Sequence, residues 1–312
     1  MTPYEGGGVK ALPPPILSMR NLLLTACAPI IWGSTYLLTG MLAMPGHPLL
    51  IGALRALPIG LLMVAAQRQR PALGAWPRLL ALGALNIGLF FALFFMAAAR
   101  LPGGVAATIS ATQPFMVTLL LWPLLGLRPG ARALGAAALG AAGVATLALR
   151  PGARLDPVGA GAAALGALAM ALATALAARW GSMGAPLATT GWQLLIGGAI
   201  LLPLALWREG ALPPLTTAAL GIFAALGLIH TGLAYALWFR GLERLAPATA
   251  SMLQLLTPLV ATLIDAALLG RPLGLAQALG GALVLGGLAL HAARPACRAG
   301  PPVRYKKGDE IQ

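Results

Sequence analysis

The sequence predicts an all-α polytopic membrane protein, with ten transmembrane helices arranged as two inverted five-helix repeats and both termini cytoplasmic. Three observations predict it. The composition is too apolar for a water-soluble surface. The basic residues fall unevenly on the two sides of successive apolar runs. The second half of the chain repeats the first.

Of the 312 residues, 59% are hydrophobic and only 9% are charged, with a mean hydropathy of +0.86. A soluble domain carries roughly 25% charged residues, so too few polar side chains are present to cover a wetted surface. Apolar runs recur along almost the whole chain, each with the ~18 or more residues needed to cross a hydrocarbon core of about 30 Å. Reading them between Arg, Pro and Gly punctuation gives spans near 22–43, 48–66, 78–99, 103–125, 132–150, 157–178, 187–207, 216–239, 247–269 and 273–292. Turns as short as Leu101-Pro102 and Arg271-Pro272 force antiparallel neighbours and leave no room for a soluble catalytic domain. Residues 1–20 read as a disordered lead, 21–150 and 151–293 as the two five-helix repeats, and 294–312 as a basic cytoplasmic tail. The first apolar run lacks a cleavage site behind it and reads as retained.

Positive charge sets the orientation. Arg100, Arg150, Arg154, Arg208 and Arg271 fall on one side and Arg55 lies within a span, leaving 15 of the 21 Lys and Arg residues on the other side, with the termini. A bacterial inner membrane with both ends inside accounts for this bias. The formal charge of +14 does not point to nucleic acid, because the charges are scattered between apolar runs and no RNA or DNA motif accompanies them. The tail cluster Arg294, Arg298, Arg304, Lys306 and Lys307 suits anionic lipid of the bilayer.

Shifting the chain by 144 residues lays Phe91-Ala92-Leu93-Phe94-Phe95 on Tyr235-Ala236-Leu237-Trp238-Phe239, Arg100 on Arg244, Pro114 on Pro258 and Gly143 on Gly287. A shift of 138 lays Pro48 on Pro186, Gly60 on Gly198 and Arg55 on Gln193. Five spans per copy is an odd number, so the second copy enters the membrane from the opposite side. Inverted repeats suit alternating access, because exchanging the conformations of the halves turns one open state into the other.

Polar groups inside a span are costly unless they face protein or water, which makes each a candidate site. Pro114 and Pro258 fall near the centres of spans four and nine. Each removes the bond to the carbonyl four residues back, at Ser110 and Gln254, next to Gln113 and Thr257. This predicts either a polar site with two hinges or two packed kinks. Asn86, Phe90 and Phe94 share a helical stripe, as do His230, Ala234 and Trp238 in the counterpart span. The stripes suit a central cavity for a small amphipathic solute, or a buried hydrogen-bonded Asn and His among ordinary aromatic packing. Trp32 and Tyr36, one turn apart, form an aromatic wall or a membrane-interface pair; between them Ser34 and Thr35 are further candidates, unless their hydroxyls bond to their own helix backbone. Trp192 and Gln193 are expected to line the same path. Arg55 lies too deep for comfortable exposure to lipid; it binds a substrate carboxylate, pairs with an acid, or snorkels. Asp265, near the end of span nine, pairs with Arg271 or serves the pathway. The faces Ala136 with Gly140 and Ala282 with Gly286 permit close helix contact, either sealing the bundle or forming a homodimer.

The chain resembles the EamA-type branch of the drug/metabolite transporter superfamily over roughly residues 20–292. The resemblance rests on Trp32-Gly33-Ser34-Thr35-Tyr36 in span one, Arg55 in span two, the Gln113-Pro114 and Thr257-Pro258 centres, and the glycine-rich last helix of each half. It implies ten helices in two inverted repeats and a secondary transporter that exports a small organic metabolite. Within the family, aromatic amino-acid exporters of the YddG type are the nearest match. The chain departs from the family where members often carry a glutamate after the fourth helix of each repeat. It reads Gly126-Leu127-Arg128 and Gly270-Arg271-Pro272 there, so no role of that acid carries over.

An intramembrane enzyme would need clustered nucleophile, base or metal ligands. His47, His230 and His291 fall at different depths, Cys27 and Cys297 form no framework, and no paired carboxylates or metal spacing occur. No catalytic residue, metal or cofactor is therefore expected. A channel, an intramembrane enzyme or a receptor is the alternative from another class, and import, or export of another metabolite or drug, is the alternative within the class.

Overall fold

The computed structural model describes residues 18–42, 44, 46–101, 106, 109–148, 156–211, 213–268 and 274–292. The N-terminal lead, the basic tail and the segments holding Arg150, Arg154 and Arg271 lie outside the described residues, as do the side chains of Tyr36 and Asp265. Among the described residues every regular element is helical. In order these are α1 (Met19–Gly33), α2 (Thr35–Met41), α3 (Pro48–Gln67), a short 3-10 turn (Leu73–Ala75), α4 (Trp76–Gly83), a π-helical turn (Ala84–Leu89), α5 (Phe90–Arg100), α6 (Gln113–Leu125) and α7 (Ala131–Ala148). There follow α8 (Pro157–Trp180), α9 (Pro186–Glu209), α10 (Thr217–Gly227), a second π-helical turn (Leu228–Leu233), α11 (Ala234–Leu242), α12 (Pro247–Leu253), α13 (Leu256–Leu268) and α14 (Leu275–Ala292). Eight stretches among the described residues are long and apolar enough to cross a membrane, and Gln113–Leu125 and Ala131–Thr146 are shorter apolar helices. The protein is an all-α polytopic membrane protein.

Helix ends follow local chemistry. Asp156 accepts a bond from the Gly159 N–H at 3.0 Å ahead of Pro157, and Thr216 caps α10 through the Ala219 N–H at 3.2 Å. Gly126, at φ +70°, closes α6; its N–H and that of Leu127 satisfy the carbonyls of Trp122 and Leu121. A side chain there would strain this left-handed position.

Three expected spans are broken. The first breaks at Ser34 between α1 and α2, the fourth at residues 111–112, and the ninth at Gln254–Leu255. Spans three and eight are continuous, but each contains a π-helical turn, and the two turns lie 144 residues apart.

Glycines set the helix contacts. A side chain on Gly60 in α3 would meet the backbone of Leu195 and Gly191 in α9, and one on Gly198 in α9 would meet Leu57 in α3. Subtracting 138 from Leu195 and Gly198 gives Leu57 and Gly60, so the contact is reciprocal, and the helices run antiparallel. The pair α7 and α14 behaves likewise. Gly143 abuts Val284 and Gly280, while Gly287 abuts Gly140 and Ala136, each set 144 residues from the other. Helix α8 packs on α5 and α6, and α1 packs on α11 and α13. The face of Ala136 and Gly140 is thus consumed inside the bundle, whereas Ala282 is exposed.

Candidate functional site

A cavity of about 950 Å³, its open mouth included, lies between these helices. Its wall includes Trp32, Thr35, Arg55, Phe90, Phe94, Ser110, Gln113, Pro114, Gln254, Thr257 and Pro258, all singled out in the sequence. Phe91 and Tyr235, Ser110 and Gln254, Ala111 and Leu255, Gln113 and Thr257, and Pro114 and Pro258 are each 144 residues apart and all line it. The wall is completed by residues that sequence reasoning did not name as site residues, among them Phe91, Met170 and Tyr235.

The helix breaks bring this set together. Span four bends at residues 111–112, just before Gln113 and Pro114, where the Ile109 carbonyl accepts from the Thr112 N–H at 3.1 Å and its hydroxyl at 2.6 Å. In span nine the proline argument expected a free Gln254 carbonyl, and the structure shows it bonded. The Thr257 N–H donates to it at 3.0 Å, tightening the helix locally into i→i+3 bonding. The Thr257 hydroxyl donates instead to the Pro29 carbonyl of α1 at 3.2 Å.

Arg55 is 3% exposed. Its Nε donates to the Thr231 hydroxyl at 3.3 Å, and its guanidinium lies 5.2 Å from the centre of the Phe91 ring. Among the described residues the one ion pair is Arg100–Asp156, near the surface at 3.4 Å, so no carboxylate there faces Arg55. Trp32 stacks at a tilt between Tyr235, 4.9 Å away, and Trp238, 5.6 Å away. Its indole N–H donates to the His230 carbonyl at 2.8 Å. The Nε2 atoms of Gln113 and Gln254 and the hydroxyl of Thr35 are buried without a hydrogen-bond partner.

Asn86, His230 and Trp238 are buried but stand behind this wall. Asn86 donates to Gln193 Oε1 at 2.8 Å. His230 joins its Nε2 to the Ser34 hydroxyl at 2.7 Å and its Nδ1 to the Ala225 carbonyl at 3.2 Å. Trp238 is packed to 0% exposure. The π-helical turn inserts an extra residue between Asn86 and the Phe90 stripe, and again between His230 and the Tyr235 side of span eight. That insertion rotates the polar residue off the cavity face. Trp192 is a correction. It meets Trp76 edge-on at 4.8 Å and donates to the Gln69 carbonyl at 3.2 Å, anchoring the end of α3 instead of lining the cavity. The placement of the Tyr36 side chain lies outside the described residues. No three His, Cys, Asp or Glu side chains among the described residues gather to hold a metal.

Apolar helices wrapped around an aromatic cavity that holds the buried Arg55 guanidinium define a polytopic membrane protein with a mostly apolar chamber inside its bundle. The chain belongs to the EamA-like transporter family, whose model matches residues 19–149 and again 157–292. It is therefore a membrane transporter of small molecules and not an enzyme. It is similar to protein PecM of Dickeya dadantii, 40% identical over 256 residues that span 81% of this chain and 86% of that one. It is also similar to the uncharacterized transporter YwfM of Bacillus subtilis, 30% identical over 279 residues, 88% of this chain and 94% of that one. A solved crystal structure shares the fold, with a TM-score of 0.74 and 23% identity, covering 88% of this chain and 97% of its own.

Proposed function

We propose that this protein exports small organic metabolites, amino acids among them, across the bacterial inner membrane by alternating access. In this reading ten helices form two inverted repeats, residues 21–150 and 151–293, with both termini in the cytoplasm and the cavity as the substrate seat. One observation carries it: five pairs of residues 144 apart line a single cavity where the halves meet, the place an inverted-repeat transporter binds its solute. The double match of one family model and the reciprocal glycine contacts support the repeat. The 15-to-5 bias of basic residues supports the orientation. Breaks beside Pro114, beside Pro258 and at Ser34 supply hinge points on three of the wall-forming spans.

The test is counterflow in proteoliposomes. Unlabelled solute loaded on one side is expected to accelerate entry of the labelled solute and to saturate. Flux that rises linearly without trans-stimulation would instead indicate a channel.

A further inference from the structure

We propose that the cavity selects small organic monoanions, a single carboxylate on a compact apolar or aromatic body, over the zwitterionic, neutral and cationic forms of the same body. This rests on the reading that the cavity is the transport site, and among the metabolites proposed above it ranks amino acids, as zwitterions, below carboxylates that carry no ammonium.

Charge balance is the first argument. Arg55 brings one permanent positive charge to the wall, and the described lining contains no Asp or Glu to answer it. An isolated buried charge is costly even after the protein relaxes around it. The ring of Phe91 offsets part of that through its negative face, and Thr231 accepts one of the five guanidinium N–H groups. A carboxylate supplies both the missing charge and planar acceptors for the remaining donors. A monoanion brings the site to neutrality. A zwitterion leaves it with one uncompensated positive charge, and a cation leaves it with two.

The second argument is the body of the pocket. Around Arg55, the side chains of Trp32, Phe90, Phe91, Tyr235 and Met170 make a mostly apolar, aromatic wall, which suits a compact apolar or aromatic body carrying the carboxylate. Asp265 starts from a backbone position two helical turns beyond Pro258, which places it along α13 from the chamber.

The experiment uses one aromatic body in four charge states: 3-phenylpropionate, phenylalanine, 3-phenylpropanamide and 3-phenylpropylamine. Binding is read by quenching of tryptophan fluorescence, to which Trp32 reports directly, and flux by counterflow in proteoliposomes. The propionate is expected to bind about tenfold or more tightly than phenylalanine and the amide, as charged hydrogen bonds allow, with the amine last. Arg55→Gln is expected to bring propionate and amide within about threefold of each other, while Asp265→Asn leaves the order intact. If Arg55→Gln does not fold, the order in the unaltered protein decides. Phenylalanine or the amine binding as well as the propionate, or a reordering by Asp265→Asn, would overturn the proposal. Binding in the expected order without flux would uphold the selectivity and sink the transport reading. Flux of other solutes with none of the four bound would sink the selectivity alone.

Discussion

Replacing Gly60 by alanine puts a methyl carbon 2.5 Å from the Leu195 nitrogen, 2.9 Å from the Leu195 Cα and 3.0 Å from the Gly191 oxygen. All three are backbone atoms of α9, so no side-chain rotation relieves the contact. Ordinary van der Waals contact begins near 3.4 Å, so the helices must separate locally by up to 0.9 Å. That separation loosens an interface in which Ala53, Ala56, Leu194 and Leu201 are at most 1% exposed. Overpacking of this kind costs about 1–3 kcal/mol, against which alanine regains up to about 1 kcal/mol of helix propensity. Gly198→Ala meets Leu57 in the reciprocal place, at 2.6 Å from its Cγ and 2.9 Å from its nitrogen. The assay is the fraction of protein remaining monodisperse in detergent after a heat series. Gly221→Ala and Gly161→Ala serve as controls, since nothing lies within 4 Å of either added carbon. Both interface variants are expected to lose heat resistance while the controls hold or gain it. Interface variants as resistant as the controls would refute the close α3–α9 contact.

Two further outcomes follow from single side chains. Asn86→Leu leaves Gln193 Oε1 buried without its donor and is expected to cost about 1–3 kcal/mol. Adding Gln193→Leu is expected to recover part of that, with a coupling of roughly 0.6–1.7 kcal/mol in unfolding titrations; additive losses would contradict the bond. Glu209 accepts from the Leu49 and Leu50 N–H groups at 2.7 and 2.9 Å, capping the positive end of α3 from α9. Glu209→Gln is expected to lower stability by about 0.5–2 kcal/mol; an unchanged heat-series midpoint would count against a role for the cap.

The all-helical membrane fold was legible because apolar run length and scarce charge are summed over many residues. The cavity was legible where one physical rule sufficed. Pro114 and Pro258 break helices, polar residues beside them turn inward, and Arg55 cannot face lipid. Two features were not legible. A π-helical turn has no signature in Ala84–Leu89 or Leu228–Leu233, so a constant 3.6-residue period carried Asn86 and His230 onto the cavity face. Their actual partners, Gln193 and Ser34, come from other spans and depend on that rotation. Trp192 failed for a different reason: adjacency to Gln193 says nothing of depth, and its neighbour Trp76 lies in a distant stretch of sequence. Phe91 and Tyr235 aligned in the repeat, but their inward facing depended on the same rotated register.

The most direct test of the inverted arrangement is labelling from one side of the membrane. In a background with Cys27→Ala and Cys297→Ala, single cysteines replace the exposed Arg100, at the end of α5, or Arg244, just past α11. An impermeant thiol reagent is applied to intact cells and then to inverted vesicles. Position 100 is expected to react only in intact cells and position 244 only in inverted vesicles. Reaction of both from the same side would contradict the account.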